Sequence, residues 1–160
     1  LLNPDGDDIK LHPNQLEDLT THVLSNIGKF TKSELDFLLN RGITNNIIQE
    51  YNLLGLSQFT DSEHLDIIGA TCHPILRTFL KDGINEGGIV FPLIRDNKLV
   101  NCSIRRITDV GKLKYTLAVP DVPVWGLSDI NEKDEIWICE GIFDMISLRQ
   151  FGYKSVSPSS

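Results

Sequence analysis

Two carboxylates near the end of the sequence, Glu140 and Asp144, have the types and spacing that could bind a ligand. Glu140 follows an apolar run, 136–139, that predicts a strand buried on both faces, and a helical pattern begins directly after it. In sheets built from strand–helix–strand units, ligands bind beyond the carboxyl ends of the strands, and Glu140 stands at such an end. Two ordinary roles stay open: Glu140 as a surface turn residue, and Asp144 as a favourable charge near a helix amino terminus.

Four cations in the middle of the sequence form the second candidate group. Strand alternation predicts Arg105, Lys112 and Lys114 on one wet face of an antiparallel sheet, with Arg106 turned to the other face. Residues 76–120 carry eight Lys and Arg against four Asp and Glu, although the whole chain has a net charge of −7. This segment is a candidate track for a polyanion, and an ordinary solvated strand face is the alternative.

Short helices are predicted ahead of these residues. Apolar residues recur at helical spacing before Gly28, which predicts a helix over 14–27. Thr31 and Glu34 form a capping box that starts a second helix, and Gly42 is expected to end it. Further short helices are predicted over 47–51, 60–68 and 75–80.

The pattern changes from helices to strands after two glycines at 87 and 88. A turn at Asp96-Asn97 separates two β-rich runs, and prolines at 120 and 123 predict an extended connection. The last part reads as a strand, an acidic turn, a helix and a strand, which is the opening of a βαβ unit. The predicted strands lie over 89–94, 99–107, 112–117, 135–139 and 154–157.

Several of these stretches carry a resemblance to a known family. Residues 139–144 with 147–153 are similar to the first motif of a Toprim domain, a fold shared by DnaG-type primases, topoisomerases of types IA and II, and some nucleases. Five upstream stretches resemble those of the primases in the same order: 39–56, 89–93, 105–106, 114–115 and 124–127. The resemblance covers about 35–157 and implies the RNA polymerase domain of a DNA primase up to its first Toprim motif.

The resemblance implies an α+β fold in three parts. Residues 1–86 are expected to form a small helical lobe, and 87–134 a basic, antiparallel, template-binding β region. Residues 135–160 are expected to be the start of a Toprim domain, cut short within its α/β sheet.

The resemblance also implies an activity, which is primer synthesis on single-stranded DNA by metal-dependent nucleotidyl transfer. Glu140 is then the catalytic residue, and Glu140 and Asp144 are the ligands of Mg²⁺ or Mn²⁺, whose preferred ligands are carboxylate oxygens. The cations at 105, 106, 112 and 114 would contact the template or the nucleotide, and Arg41 is a further candidate for a nucleic-acid contact. NTPs, single-stranded DNA and a replicative helicase are the expected partners, no zinc is expected, and 1–160 alone is expected to be inactive.

Departures from the primase pattern keep two other functions open. Leu117 stands where the family has Asn, and Ser103 and Ile104 stand where it has glycines. They favour a divergent member, such as a phage primase or primase–helicase, or a non-catalytic single-strand-binding module of a helicase–primase. A Toprim nuclease or topoisomerase is the third possibility.

Composition excludes several other classes. No apolar run approaches the roughly 20 residues that cross a bilayer, and the first residues do not resemble a signal peptide. Three cysteines far apart give no C-x-x-C pair, which fits a reducing compartment. We therefore expect a cytoplasmic protein, in the host cytoplasm if it is encoded by a phage.

Overall fold

The computed structural model describes residues 13–59, 87–108, 114–116 and 124–158, with the backbone alone at 13–16, 100–101 and 114–116. Within these ranges the chain has four α-helices and seven strands, so the predicted α+β class is confirmed. None of the described helices has the length and apolar character needed to cross a membrane.

The helices are short, as their sequence patterns predict. They are α1 (Pro13–Asn26), α2 (Lys32–Asn40), α3 (Asn45–Glu50) and α4 (Ile142–Gln150). At the start of α2, the Thr31 hydroxyl accepts from the Glu34 amide and Glu34 Oε2 accepts from the Thr31 amide at 2.8 Å, which confirms the capping box. Gly42 follows α2 at φ 73°, in the left-handed region that glycine adopts without strain. The helices predicted over 60–68 and 75–80 lie outside the described residues.

The first sheet is antiparallel, in the order β1-β2-β3-β4. Its central hairpin turns at Asp96 and Asn97, which have φ values of 50° and 58°. Two successive positive φ angles are the requirement of a type I′ turn, whose twist matches that of the flanking strands. The strands are β1 (Leu54–Gly55), β2 (Gly88–Arg95), β3 (Lys98–Arg106) and β4 (Lys114–Thr116).

The first sheet lies between two apolar cores, so the prediction of one wet face is wrong for its described central part. Val90 packs with Leu19 of α1 on one face. Ile89 and Phe91 face the other way and pack with residues of α2, α3 and α4. Strand alternation was predicted correctly, but the packing of α4 against the second face depends on residues far away in the sequence.

The second sheet contains the predicted βαβ unit. Strands β6 (Trp137–Ile138) and β7 (Ser155–Pro158) are parallel and are joined through α4, which confirms the unit. A further strand, β5 (Val124–Trp125), pairs antiparallel with the other edge of β7, where the sequence predicted only an extended connection. The strand order is therefore β5-β7-β6.

The prediction that 136–139 is buried on both faces is wrong. Ile136, Trp137 and Ile138 are 40%, 51% and 79% exposed, and only Cys139 of this run is buried. Among the described strands, β6 has β7 as its single neighbour, so it stands at an edge. A continuous apolar run shows that a strand can be covered on both faces, and here the described elements cover only its carboxyl end.

Candidate metal and nucleic-acid site

Glu140 lies at the carboxyl end of β6, as predicted. The Trp137 amide donates to the Lys154 carbonyl and the Cys139 amide donates to the Val156 carbonyl, both at 2.8 Å. These parallel-sheet bonds fix the chain up to Cys139. Glu140 then leaves the sheet with an exposed side chain, so its carboxylate is accessible to a ligand at the edge where βαβ sheets bind ligands.

Asp144 lies in the first turn of α4. Gly141 is the N-cap, with no side chain to cap the open amides, and Met145 N donates to the Gly141 carbonyl at 3.1 Å. Asp144 is exposed, and its charge complements the positive end of the helix. Burial raises the pKa of the Cys139 thiol, and the Asp144 carboxylate raises it further.

The carboxylates of Glu140 and Asp144 are oxygen ligands of the kind that Mg²⁺ binds in proteins. No group of three or more His, Cys, Asp and Glu residues with metal-binding geometry occurs among the described residues. Mg²⁺ usually keeps several waters and is bound through one or two carboxylates together with substrate phosphates. Glu140 and Asp144 could supply those protein oxygens.

The structure separates the two predicted arginines. Arg105 stands opposite Ile89 on β2 and opposite Lys114 on β4, and it is half-buried. Arg106 stands opposite Gly88, on the other face, and is only 6% exposed. Arg105 therefore shares the sheet face that packs toward α4, whereas Arg106 lies under the α1 side. Lys114 is placed by its backbone alone, and Lys112 lies outside the described residues.

Arg41 is a cation whose place beside α4 could not be predicted from the sequence. It caps the C-terminus of α2, and its guanidinium carbon lies 4.7 Å from the ring centroid of Phe37 and 4.8 Å from that of Phe143. Phe143 immediately precedes Asp144. The spacing of Phe37 and Arg41 by four residues was a readable signal of contact within α2, but the contact with Phe143 joins segments about 100 residues apart.

Gln150 fixes the other end of α4 to the turn between α2 and α3. Its Oε1 accepts from the Thr44 amide at 2.9 Å, and its Nε2 donates to the Gly42 carbonyl at 3.1 Å. Contacts with the α2–α3 region therefore hold α4 near both of its ends. This fixes the helix that carries Asp144 against the helical part of the chain.

No protein-family model and no curated protein matches the sequence. Solved structures do match the fold, two of them from DnaG-type primases. One is a structure of the DnaG catalytic core, with a TM-score of 0.59 and 18% identity over 90% of this chain and 53% of that one. The other is the DnaG primase catalytic domain bound to single-stranded DNA, with a TM-score of 0.59 and 15% identity over 92% of this chain and 55% of that one. The chain thus spans just over half the length of the structures it matches, and over that length it has the fold of the DnaG-type primase catalytic core.

Proposed function

We propose that this chain is part of a DNA primase that joins NTPs into RNA primers on single-stranded DNA. The observation that carries the proposal is an exposed glutamate, Glu140, at the carboxyl end of β6 in a DnaG-type catalytic-core fold. Asp144 in the first turn of α4 supports it by adding a second exposed carboxylate. A replicative helicase is the proposed partner, on the strength of the sequence resemblance.

In this proposal Glu140 and Asp144 hold Mg²⁺ or Mn²⁺. The bound ion would neutralise the charge that develops on the phosphates during phosphoryl transfer. Both carboxylates are exposed, so substrate phosphates and water can complete the coordination. Glu140 directly follows Cys139, whose amide makes the last sheet bond of this segment, and Asp144 lies in the first turn of α4.

The proposed contacts to phosphate come from Arg41, Arg105, Lys112 and Lys114. Arg105 lies on the sheet face that packs toward α4, and Arg41 lies against Phe143 of that helix. A guanidinium can donate two parallel hydrogen bonds to one phosphate, which suits both arginines to this role. Arg106 is not included because it is buried on the opposite face.

The test is primer synthesis by the full-length gene product on single-stranded DNA with NTPs and Mg²⁺. Glu140→Gln keeps the size of the side chain and removes its charge, and we expect it to lower synthesis by about 100-fold or more. Glu135→Gln, an exposed glutamate just before β6, is the matched control and should keep wild-type synthesis. Normal synthesis by Glu140→Gln would overturn the role given to this residue.

A second candidate function is a non-catalytic module that binds single-stranded nucleic acid. The observation that favours it is the pair of carboxylates, which has no third acidic, histidine or cysteine ligand among the described residues. This function predicts single-strand binding that weakens with salt, but no primer synthesis by the full-length product under any divalent-ion condition. The same assay, run beside a binding titration, separates the two functions.

A further inference from the structure

The guanidinium of Arg41 contacts two phenylalanine rings from different helices, which are themselves packed edge to face. Phe37 precedes it by one helical turn on α2, and Phe143 reaches it from the first turn of α4. The distances from the guanidinium carbon to the two ring centroids are nearly equal, at 4.7 Å and 4.8 Å. Both are within the range in which a cation is attracted by the ring quadrupole.

These contacts leave the polar groups of Arg41 available. Its side chain is exposed and makes no hydrogen bond or ion pair within the part of the chain that the structure describes. Attraction to the rings acts on the charge of the guanidinium and does not require its N–H groups, which number five. The arginine is therefore restrained in position while it can still donate to an anion.

Phe143 is itself held in place by the first sheet. Its ring lies 5.0 Å from that of Phe91 on β2, at an interplanar angle of 89°, and 5.9 Å from that of Phe37. Edge-to-face packing of this kind is a favoured aromatic geometry. Phe143 lies between Glu140 and Asp144 in the sequence. Its side chain therefore links the position of the Arg41 guanidinium to segment 140–144, which carries both carboxylates.

We propose that Phe37 and Phe143 are positioning residues that hold Arg41 beside segment 140–144. In that position the Arg41 guanidinium binds a phosphate of single-stranded DNA. This inference rests on the DNA-binding part of the proposed function. It assigns to the two rings a task beyond core packing. They set the place of a charge, and a side chain of similar volume without an aromatic ring cannot replace them.

The test is a double-mutant cycle read by binding of a fluorescent oligothymidylate over a series of salt concentrations. Arg41→Ala should reduce the slope of log K against log salt by about 0.7, the value for one phosphate contact on a single strand. Phe143→Leu should weaken binding by about 3- to 10-fold when Arg41 is present and should have no further effect in Arg41→Ala. Phe143→Tyr keeps the aromatic ring and should bind with wild-type affinity.

Two further variants test whether the loss of affinity comes from a general loss of packing. Phe37→Leu removes the other ring and should give the same dependence on Arg41. Phe151→Leu alters a phenylalanine that is 77% exposed just after α4 and should bind as wild type. Thermal unfolding monitored by circular dichroism checks that every variant is folded at the assay temperature.

The outcomes separate this inference from the proposed function. Equal effects of Phe143→Leu with and without Arg41, or an unchanged salt slope in Arg41→Ala, would overturn the positioning role while DNA binding and primer synthesis stand. Absence of any binding by the wild-type chain would overturn both the positioning role and the DNA-binding part of the proposed function. Loss of primer synthesis in Glu140→Gln concerns catalysis alone and does not affect the cycle.

Discussion

At the scale of single residues, Glu34 makes tertiary hydrogen bonds that its local sequence pattern does not predict. Its carboxylate is fully buried and accepts from the amides of Thr31, Ser57 and Gly88 and from the hydroxyls of Thr31 and Ser57, at 2.6–3.1 Å. The sequence predicted only the exchange with Thr31, because a capping box is a pattern within four residues. The bonds to Ser57 and Gly88 join α2 to the turn after β1 and to the start of β2, and this tertiary arrangement has no local signature.

Glu34→Gln should destabilise the fold by about 1–3 kcal/mol, because an amide has one acceptor oxygen and brings two donors toward groups that are themselves donors. The measurement is the free energy of unfolding in urea. Glu17→Gln is the control, since the Glu17 side chain is exposed on α1, and it should change stability little. A Glu34→Gln variant as stable as wild type would show that the five hydrogen bonds are not needed together.

At the scale of elements, Arg149 connects three of them. Its side chain is 7% exposed and donates to the carbonyls of Gly126 and Ser155 and to the carboxylate of Asp129. The end of α4, the turn after β5 and the start of β7 are joined through one guanidinium. From the sequence, Arg149 is only a cation in the last turn of a helix, where the dipole favours it. The acceptors come from segments whose pairing the sequence did not predict.

Arg149→Lys should cost about 1–3 kcal/mol in the free energy of unfolding, because a single ammonium cannot reproduce the planar fork that reaches several acceptors at once. Chemical denaturation measures the change. Arg95→Lys, at an exposed position beside the β2–β3 turn, is the matched control and should be close to neutral. Equal stability of Arg149→Lys and wild type would mean that charge alone is sufficient.

Asp129, the ion-pair partner of Arg149, makes the stability of the fold depend on pH, and the direction of this dependence follows from its pKa. Burial raises the pKa of Asp129, but its hydrogen bonds and ion pairs with Arg149 and Lys154 outweigh burial, so the pKa lies below the ordinary value of 3.8. A depressed carboxylate pKa adds stability above the unfolded-state pKa, and this stability is lost as the pH falls through the folded-state value. Wild type should therefore be more stable than Asp129→Asn near neutral pH, and the difference should shrink below 3.8. Unfolding of both proteins across the acid range measures it, and a difference that grows on acidification would contradict the assignment.

At the scale of the whole molecule, elements with a strong local pattern were predicted well and their assembly was not. Helix α1, the hairpin at Asp96-Asn97 and the βαβ unit all follow from periodicity and turn chemistry. Glu140 could be placed for the same reason, because a strand end can be read locally. Three features could not be predicted, because each depends on contacts between distant segments: the burial of both faces of the first sheet, the strand β5 and the contact of Arg41 with Phe143.

The largest consequence for the whole molecule is the exposed apolar surface around β6. Trp137 and Tyr153, both 51% exposed, pack edge to face. Ile138, the next residue of β6, faces the other side of a strand that stands at an edge among the described strands, and it is 79% exposed. Open strand edges and large apolar patches favour self-association, and a lysine on such a strand opposes it.

We therefore expect residues 1–160 to self-associate with rising concentration, and Ile138→Lys to weaken the association constant by at least about 10-fold, or 1.4 kcal/mol. Sedimentation velocity at several concentrations measures this, with Leu39→Lys, at a 50% exposed position on α2, as a control that should behave as wild type. A wild-type chain that stays monomeric at every concentration would show that the patch does not bind a second copy.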